Sequence, residues 1–242
     1  TSGLVEKKGI IYIWTNKNVK SRNLEIKVRN ELGIEQKLLT QKEVLELEPN
    51  LQPVFDAGVI YESAMHATDP HGILKQIFKL FLKKGGKFIQ TNVENLEQIN
   101  TNETIIRSGR KEYKFEKTVV ASGAFSKKLT DKLGESIPLD TERGYHVHFK
   151  NKENLIKRPV IFLDRGFGMT PMNQGLRAVG TVELGGLKNP PSKKRIEYII
   201  NCAKELLPQL GMHDDEWLGF RPTLPDFLPI MGPSLKNKNI IY

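Results

Sequence analysis

The stretch from residue 137 to residue 181 constrains the fold of this chain most, because it contains strand patterns and no helical period. Apolar and β-branched residues recur there in four short runs separated by turn residues, at 137–149, 160–163, 167–170 and 176–181. Strands that follow one another without a crossover helix pair in an antiparallel sheet. Since helical patterns lie before and after this stretch, the sequence predicts an α+β fold rather than a regular βαβ array.

Three helices have clear start signals. Asp69 precedes Pro70 and opens a helix with apolar residues at helical spacing up to residue 82. Thr40 and Glu43 form the pattern of a capping box. A third helix begins after residue 192 and places Cys202 among its apolar positions, where we expect a small core residue.

The positive charge of the chain does not indicate a nucleic-acid partner. The formal net charge is +9, from 37 basic and 28 acidic residues. The basic residues are scattered over predicted helix faces and loops, and no long basic block is interleaved with aromatic residues. We therefore expect a charged, solvated surface and no nucleic-acid binding. The sequence also contains no apolar run of the roughly 18 residues that a transmembrane helix needs.

The motifs of several common enzyme classes are missing. There is no His-Glu-x-x-His, Cys-x-x-Cys, P-loop or Gly-x-Ser-x-Gly pattern. His146 and His148 share one face of a predicted strand, but two ligands do not make a metal site, so we predict none. Gly166 and Gly168 begin a dinucleotide fingerprint, but Pro171 occupies the third glycine position.

A turn of small residues at 119–124 has two interpretations. Ser122 and Gly123 follow a predicted strand and precede a helix, so a ligand could approach the backbone and the amides of the helix start. A tight turn that simply needs glycine explains the same pattern. The residues alone leave both interpretations open.

Arg221 lies in an apolar, proline-rich stretch between Trp217 and Asp226. A guanidinium in such surroundings needs an anionic partner, because its desolvation is otherwise costly. A substrate carboxylate bound by two parallel hydrogen bonds is one candidate. Asp226 is the other, and the residue pattern alone favours this structural ion pair.

Several short motifs follow one another along the chain in a fixed order: Leu45–Pro49, His66–Pro70, Val120–Ser126, Glu142–Val147, Gly175–Glu183, Trp217–Asp226 and Leu228–Gly232. Each motif alone is weak. Their shared order resembles the D-amino-acid oxidase (DAO) superfamily of FAD-dependent oxidoreductases, and within it the D-amino-acid dehydrogenase-like branch.

The resemblance implies two domains built from separated stretches. Residues 1–65 and 136–220 correspond to a substrate domain with an antiparallel sheet, and residues 66–135 and 221–242 to part of a Rossmann-like FAD-binding domain. It also implies a fragment, because the family's opening βαβ unit and its closing glycine-rich FAD segment have no counterpart in these 242 residues.

The resemblance also assigns site residues. Those expected to contact FAD are Val93, Ala121, Ser122 and Gly123. Those expected to contact the substrate are Arg221, Tyr145, His148 and Met169. It implies no catalytic base.

The function implied by the resemblance is the oxidative deamination of a D-amino acid or related small amine, by hydride transfer to FAD. The alternative is an inactive substrate-binding or interaction module without FAD. The expected partner is a small amino acid or amine. The expected location is the cytoplasm, either free or peripheral to the inner membrane.

Overall fold

A computed structural model describes residues 3–16, 19–100 and 103–242, which form two compact units. The first unit consists of Thr1–Gly85, Gly144–Val182 and Pro190–Leu218, and the second of Gly86–Arg143, Glu183–Asn189 and Gly219–Tyr242. The two units are defined by their compactness and not by a function. The assignment of residues to a substrate domain and an FAD-binding domain stays a prediction.

The strands and helices are numbered in chain order. The strands are β1 (Val5–Glu6), β2 (Ile10–Trp14), β3 (Lys37–Thr40), β4 (Ala57–Tyr61), β5 (His66–Ala67), β6 (Asn95–Asn100), β7 (Glu103–Ser108), β8 (Lys111–Phe115), β9 (Thr118–Val119), β10 (Asp140–Lys150), β11 (Val160–Phe162), β12 (Phe167–Met172), β13 (Gly175–Glu183), β14 (Asp215–Thr223) and β15 (Ile240–Ile241). The helices are α1 (Val19–Glu31), α2 (Gln41–Leu47), α3 (Pro70–Lys83), α4 (Ser126–Lys132) and α5 (Lys193–Leu206).

The first unit is built on an eight-stranded sheet with the order β14-β10-β13-β12-β11-β2-β4-β3. Strands β11, β12 and β13 pair antiparallel in succession, as the sequence predicts, while β11 pairs parallel with β2. The sheet is therefore mixed. The expected α+β fold class is confirmed.

Alternation along β10 assigns one face of this sheet to the core. Tyr145, Val147 and Phe149 are buried, and they belong to one hydrophobic cluster with the apolar positions of α5. Cys202 on α5 is also in this cluster and is 3% exposed, so its predicted role as a small core residue is confirmed. The residues between them on β10 lie on the opposite, open face.

The second unit contains two smaller sheets. Strands β6, β7 and β8 form an antiparallel meander, and β9 pairs parallel with β15. Leu96, Val120, Leu129 and Ile240 form its core. The sequence also predicts a strand over residues 87–91, which is wrong, because that stretch has no strand and its apolar side chains are exposed.

Helix α3 begins at the predicted position but does not bury its apolar face. Asp69 Oδ1 accepts a hydrogen bond from the backbone N–H of Gly72 at 2.8 Å, and Pro70 occupies the first turn. None of the residues of α3 is buried, and Leu74 and Ile77 are about three-fifths exposed, at 63% and 59%. Within the described ranges, no helix combines the length and apolarity needed to cross a membrane.

The predicted capping box of α2 is present. Thr40 Oγ1 accepts a hydrogen bond from the N–H of Glu43, and the Glu43 carboxylate accepts one from the N–H of Thr40 at 2.8 Å. Thr40→Ala should lower the free energy of unfolding by about 1 kcal/mol, because an amide of the first turn loses its acceptor. Lys42→Ala, on the exposed surface of the same helix, should change it by less than about 0.5 kcal/mol in the same urea titration.

Candidate functional site

A cleft of about 880 Å³ lies within the second unit. Its lining comes from the β9–α4 connection, from residues 137–142, from residues 221–231 and from the last two residues. Phe227, Leu228 and Met231 form an apolar wall and are between 65% and 84% exposed. Apolar side chains that are exposed together along a concave surface are typical of a ligand site.

The turn after β9 leaves room for a ligand. Gly123 has φ of 56°, a left-handed conformation that glycine adopts without strain. A Cβ atom added there would meet no heavy atom within 4 Å. The turn is held by Ser126 Oγ, which accepts a hydrogen bond from the N–H of Ser122 at 3.2 Å. Ala121 and Gly123 both line the cleft.

A carboxylate anchors the end of the chain that contributes to the cleft. Glu135 accepts hydrogen bonds from Ser234 Oγ at 2.5 Å, from the N–H of Lys236 at 2.8 Å and from the Tyr242 hydroxyl at 2.6 Å. Burial raises the pKa of Glu135, but these hydrogen bonds outweigh it and leave the pKa below its ordinary value. Burial, together with the bond to Glu135, raises the pKa of Tyr242 to about 12.

Arg221 lines the same cleft and pairs with a residue that the sequence did not indicate. Its Nη1 lies 3.5 Å from Oε2 of Glu142, which is on the neighbouring strand β10. Asp226, the structural partner that the residue pattern favoured, instead accepts a hydrogen bond from the N–H of Leu228 at 3.1 Å. The predicted pair with Asp226 is therefore wrong, because the turn at residues 226–228 uses that carboxylate.

The pair between Arg221 and Glu142 leaves most of the guanidinium available. The Arg221 side chain is 68% exposed and that of Glu142 is 16% exposed, and an ion pair whose cation lies in solvent contributes about 0–1 kcal/mol. A guanidinium has five N–H donors, and one long contact uses one of them. Arg221 therefore keeps the planar donor pair that a carboxylate needs for two parallel hydrogen bonds.

Two of the four predicted substrate residues lie in the core of the first unit. Met169 is fully buried opposite Ala178, and Tyr145 is 2% exposed. The Tyr145 hydroxyl accepts a hydrogen bond from the N–H of Ser192 at 3.1 Å. Neither side chain has a surface to offer to a substrate, so their burial argues against the contacts implied by the resemblance.

The histidines of β10 lie on the open face of the sheet. His146 stacks on Trp217 with 4.8 Å between ring centroids. Burial, followed by the charge of Arg177, lowers the pKa of His146 to about 4 and also lowers that of His148. Both rings are therefore neutral at physiological pH. A substrate contact by His148 stays a prediction.

Val93 packs its side chain against the core of the second unit and is half-buried. Its predicted backbone contact with FAD stays a prediction. In the described part of the chain, no three or more His, Cys, Asp or Glu side chains are grouped so that they could hold a metal ion.

Residues 2–242 match the family described as DAO, FAD dependent oxidoreductase. The match covers nearly the whole chain and defines the class as that of FAD-dependent oxidoreductases. The chain belongs to the DAO family. The expected family and the expected FAD cofactor are both confirmed. The cleft is compatible with such a group, since it offers about 880 Å³, an apolar wall and open space beside Gly123.

Named relatives agree with this family. The chain is 30% identical over 244 residues to a D-amino-acid oxidase of Bradyrhizobium diazoefficiens, and the matched region covers 99% of the chain and 58% of that protein. It is 29% identical to a D-amino acid dehydrogenase of Vibrio atlanticus, over 95% of the chain and 57% of that protein. The chain thus spans little more than half the length of these relatives.

A solved structure shares the fold. The glycine oxidase of Geobacillus kaustophilus superposes with a TM-score of 0.87 at 19% identity, over 99% of this chain and 66% of that one. This likeness shows the architecture alone.

Proposed function

We propose that the protein containing this chain oxidises a D-amino acid or a related small amine, with FAD as the electron acceptor. The carbon bearing the amine gives up a hydride and the nitrogen a proton, and water hydrolyses the resulting imine to a carbonyl compound and the free amine or ammonia. When bound, FAD accepts that hydride. The names of the relatives support this class of substrate.

One observation carries the proposal. Arg221 lines the same 880 Å³ cleft as Ala121 and Gly123, two of the residues expected at the cofactor. These positions lie about 100 residues apart in sequence, and the fold of the second unit brings them together. A guanidinium that can bind a carboxylate, beside the turn expected at the cofactor, supports the oxidation of an amino acid.

Each part of the cleft has a separate task in this proposal. Arg221 holds the substrate carboxylate by two hydrogen bonds, and thereby fixes the direction of the α-hydrogen. The apolar wall at Phe227 and Leu228 offers a surface against which the apolar part of a ligand can pack. No side chain is assigned as a general base, because the predicted sites include none.

The assignment of the turn to FAD predicts a large effect of bulk at Gly123. Gly123→Leu should weaken FAD binding about tenfold or more, because the side chain occupies the open space beside the cleft. Gly109→Leu is the matched control. Gly109 lies in the β7–β8 turn of the same unit, has φ of 57° and also has no neighbour within 4 Å of its Cβ position.

Both substitutions introduce the same left-handed strain of roughly 1–2 kcal/mol. FAD affinity measured by fluorescence titration therefore separates strain from occlusion. Equal affinities of the two variants would remove Gly123 from the cofactor site.

The proposed oxidation and the alternative function, a module without FAD, predict different absorbance spectra. If the proposed oxidation is right, the purified protein should show flavin absorbance bands and lose them when an amino-acid substrate reduces the flavin. A colourless protein that takes up no added FAD would support the module and overturn the proposed oxidation.

A further inference from the structure

A second cluster of cationic and polar groups lies on the open face of the sheet in the first unit. Arg177 on β13 pairs in register with Thr170, and both are half-buried, whereas the adjacent pair Ala178 and Met169 is buried in the core. Alternation therefore turns Arg177 away from the core. Strand β10, the neighbour of β13, carries His146 on this same open face.

Among the described residues, the charge of Arg177 has no close counter-charge. Within the described residues, no carboxylate lies at ion-pair distance from its guanidinium, and its Nε is buried without a hydrogen bond. Asp69 is the acidic group that acts on it, at longer range, and that carboxylate already caps α3. Burial consequently lowers the pKa of Arg177. A half-buried guanidinium without a carboxylate at ion-pair distance is stabilised by an anion that binds to it.

The histidines beside Arg177 can donate to such an anion. His148 Nε2 is buried and makes no hydrogen bond within the described residues. Burial and then the Arg177 charge lower its pKa, while Asp215 and Asp214 raise it and Lys150 lowers it. Lys150 and Asp215 largely offset one another, since they form an ion pair at 3.0 Å. Each neutral ring offers one N–H donor.

We propose that Arg177, with His148 and His146, forms a recognition site for the carboxylate of a small aliphatic acid. Among these three side chains Arg177 alone carries a charge, which a monoanion matches, whereas a phosphate dianion would bring an excess negative charge into half-buried surroundings. The indole of Trp217, stacked on His146, provides an apolar surface for the aliphatic part of the ligand. The site lies in the first unit, and the inference does not depend on the proposed oxidation.

The test is a titration of His148 by NMR in the full-length, FAD-loaded protein, with acetate replacing chloride at constant ionic strength. Acetate should raise the pKa of His148 by about half a unit or more, because a bound carboxylate offsets Arg177. His148 is the reporter because the pKa of His146, about 4, falls where acetate itself takes up protons. No acetate-dependent shift would overturn the proposal.

Two variants and one further anion complete the experiment. Arg177→Gln should raise the pKa of His148 without acetate and abolish the acetate response. Lys150→Gln, which removes a different charge near His148, should keep that response. A response that persists in Arg177→Gln, or a larger response to inorganic phosphate than to acetate, would each contradict the assignment.

Discussion

Arg221→Ala in the FAD-loaded full-length protein should lower kcat/KM for D-alanine by about 100-fold or more, while the flavin absorbance stays unchanged. The guanidinium is the group in the cleft that can bind a carboxylate by two hydrogen bonds, so its removal costs both affinity and the orientation of the α-hydrogen. Because the Arg221 side chain is 68% exposed and its contact with Glu142 is long, the substitution should affect folding little.

Matched variants separate charge from geometry at this position. Arg221→Lys keeps the positive charge but loses the planar donor pair, so its kcat/KM should fall between those of the wild type and Arg221→Ala. Glu142→Gln removes the weak partner and should change kcat/KM less than about fivefold. Turnover by Arg221→Ala at the wild-type rate would exclude this residue from substrate binding.

Local signals in the sequence predicted the helices and the sheet class well. Asp69 and Pro70, and the capping box at Thr40, specify helix starts through contacts within four residues, and both helix starts form as expected. The shared strand face predicted for His146 and His148 also forms as expected. Such features depend on the backbone period, which a sequence displays directly.

Contacts between distant residues were not accessible in the same way. The residue pattern favoured Asp226 as partner of Arg221 because it is close in sequence, yet adjacent strands place Glu142 there. Only the order of strands in the sheet makes β10 a neighbour of β14. Arg177 lies within one of the ordered motifs, but the motif indicates no role for it, since its missing counter-charge becomes visible only in three dimensions.

The sequence alone also did not predict which individual residues are buried. Met169 was expected at the substrate, but its register opposite Ala178 places it in the core. Helix α3 is the opposite case. Leu74 and Ile77 follow a strong helical period that predicts a buried face, but their side chains are exposed. The order of the family motifs, by contrast, indicated the residues Ala121, Gly123 and Arg221, and all three line the cleft.

Glu48→Ala should lower the free energy of unfolding by about 3 kcal/mol, because Glu48 closes a buried junction in the first unit. Its carboxylate accepts hydrogen bonds from the N–H of Lys157 at 2.8 Å and from Arg158 Nε at 3.0 Å, and Glu48 is 1% exposed. Alanine leaves a largely buried guanidinium and a backbone N–H without this acceptor. Unfolding in urea can be followed by fluorescence, since Trp14 and Trp217 both belong to the first unit.

Glu48→Gln tests how much of this stability comes from charge. Glutamine keeps the shape and one acceptor, so its cost should be about 1–2 kcal/mol near neutral pH. Burial raises the pKa of Glu48 above its ordinary value of 4.5, against the opposing effects of the Lys157 N–H and Arg158. Between the two pKa values the folded protein holds a proton that the unfolded chain has lost, so stability falls as pH rises through this window.

The Glu48→Gln variant has no carboxyl group at this position that could take up or release a proton. The difference in unfolding free energy between wild type and Glu48→Gln should therefore narrow as pH rises from about 4 to about 7. A difference that widens over the same range would mean that Arg158 holds the pKa of Glu48 below its ordinary value. The junction between α2 and residues 157–158 would then be stabilised chiefly by the ion pair, and neutral replacements would cost as much as alanine.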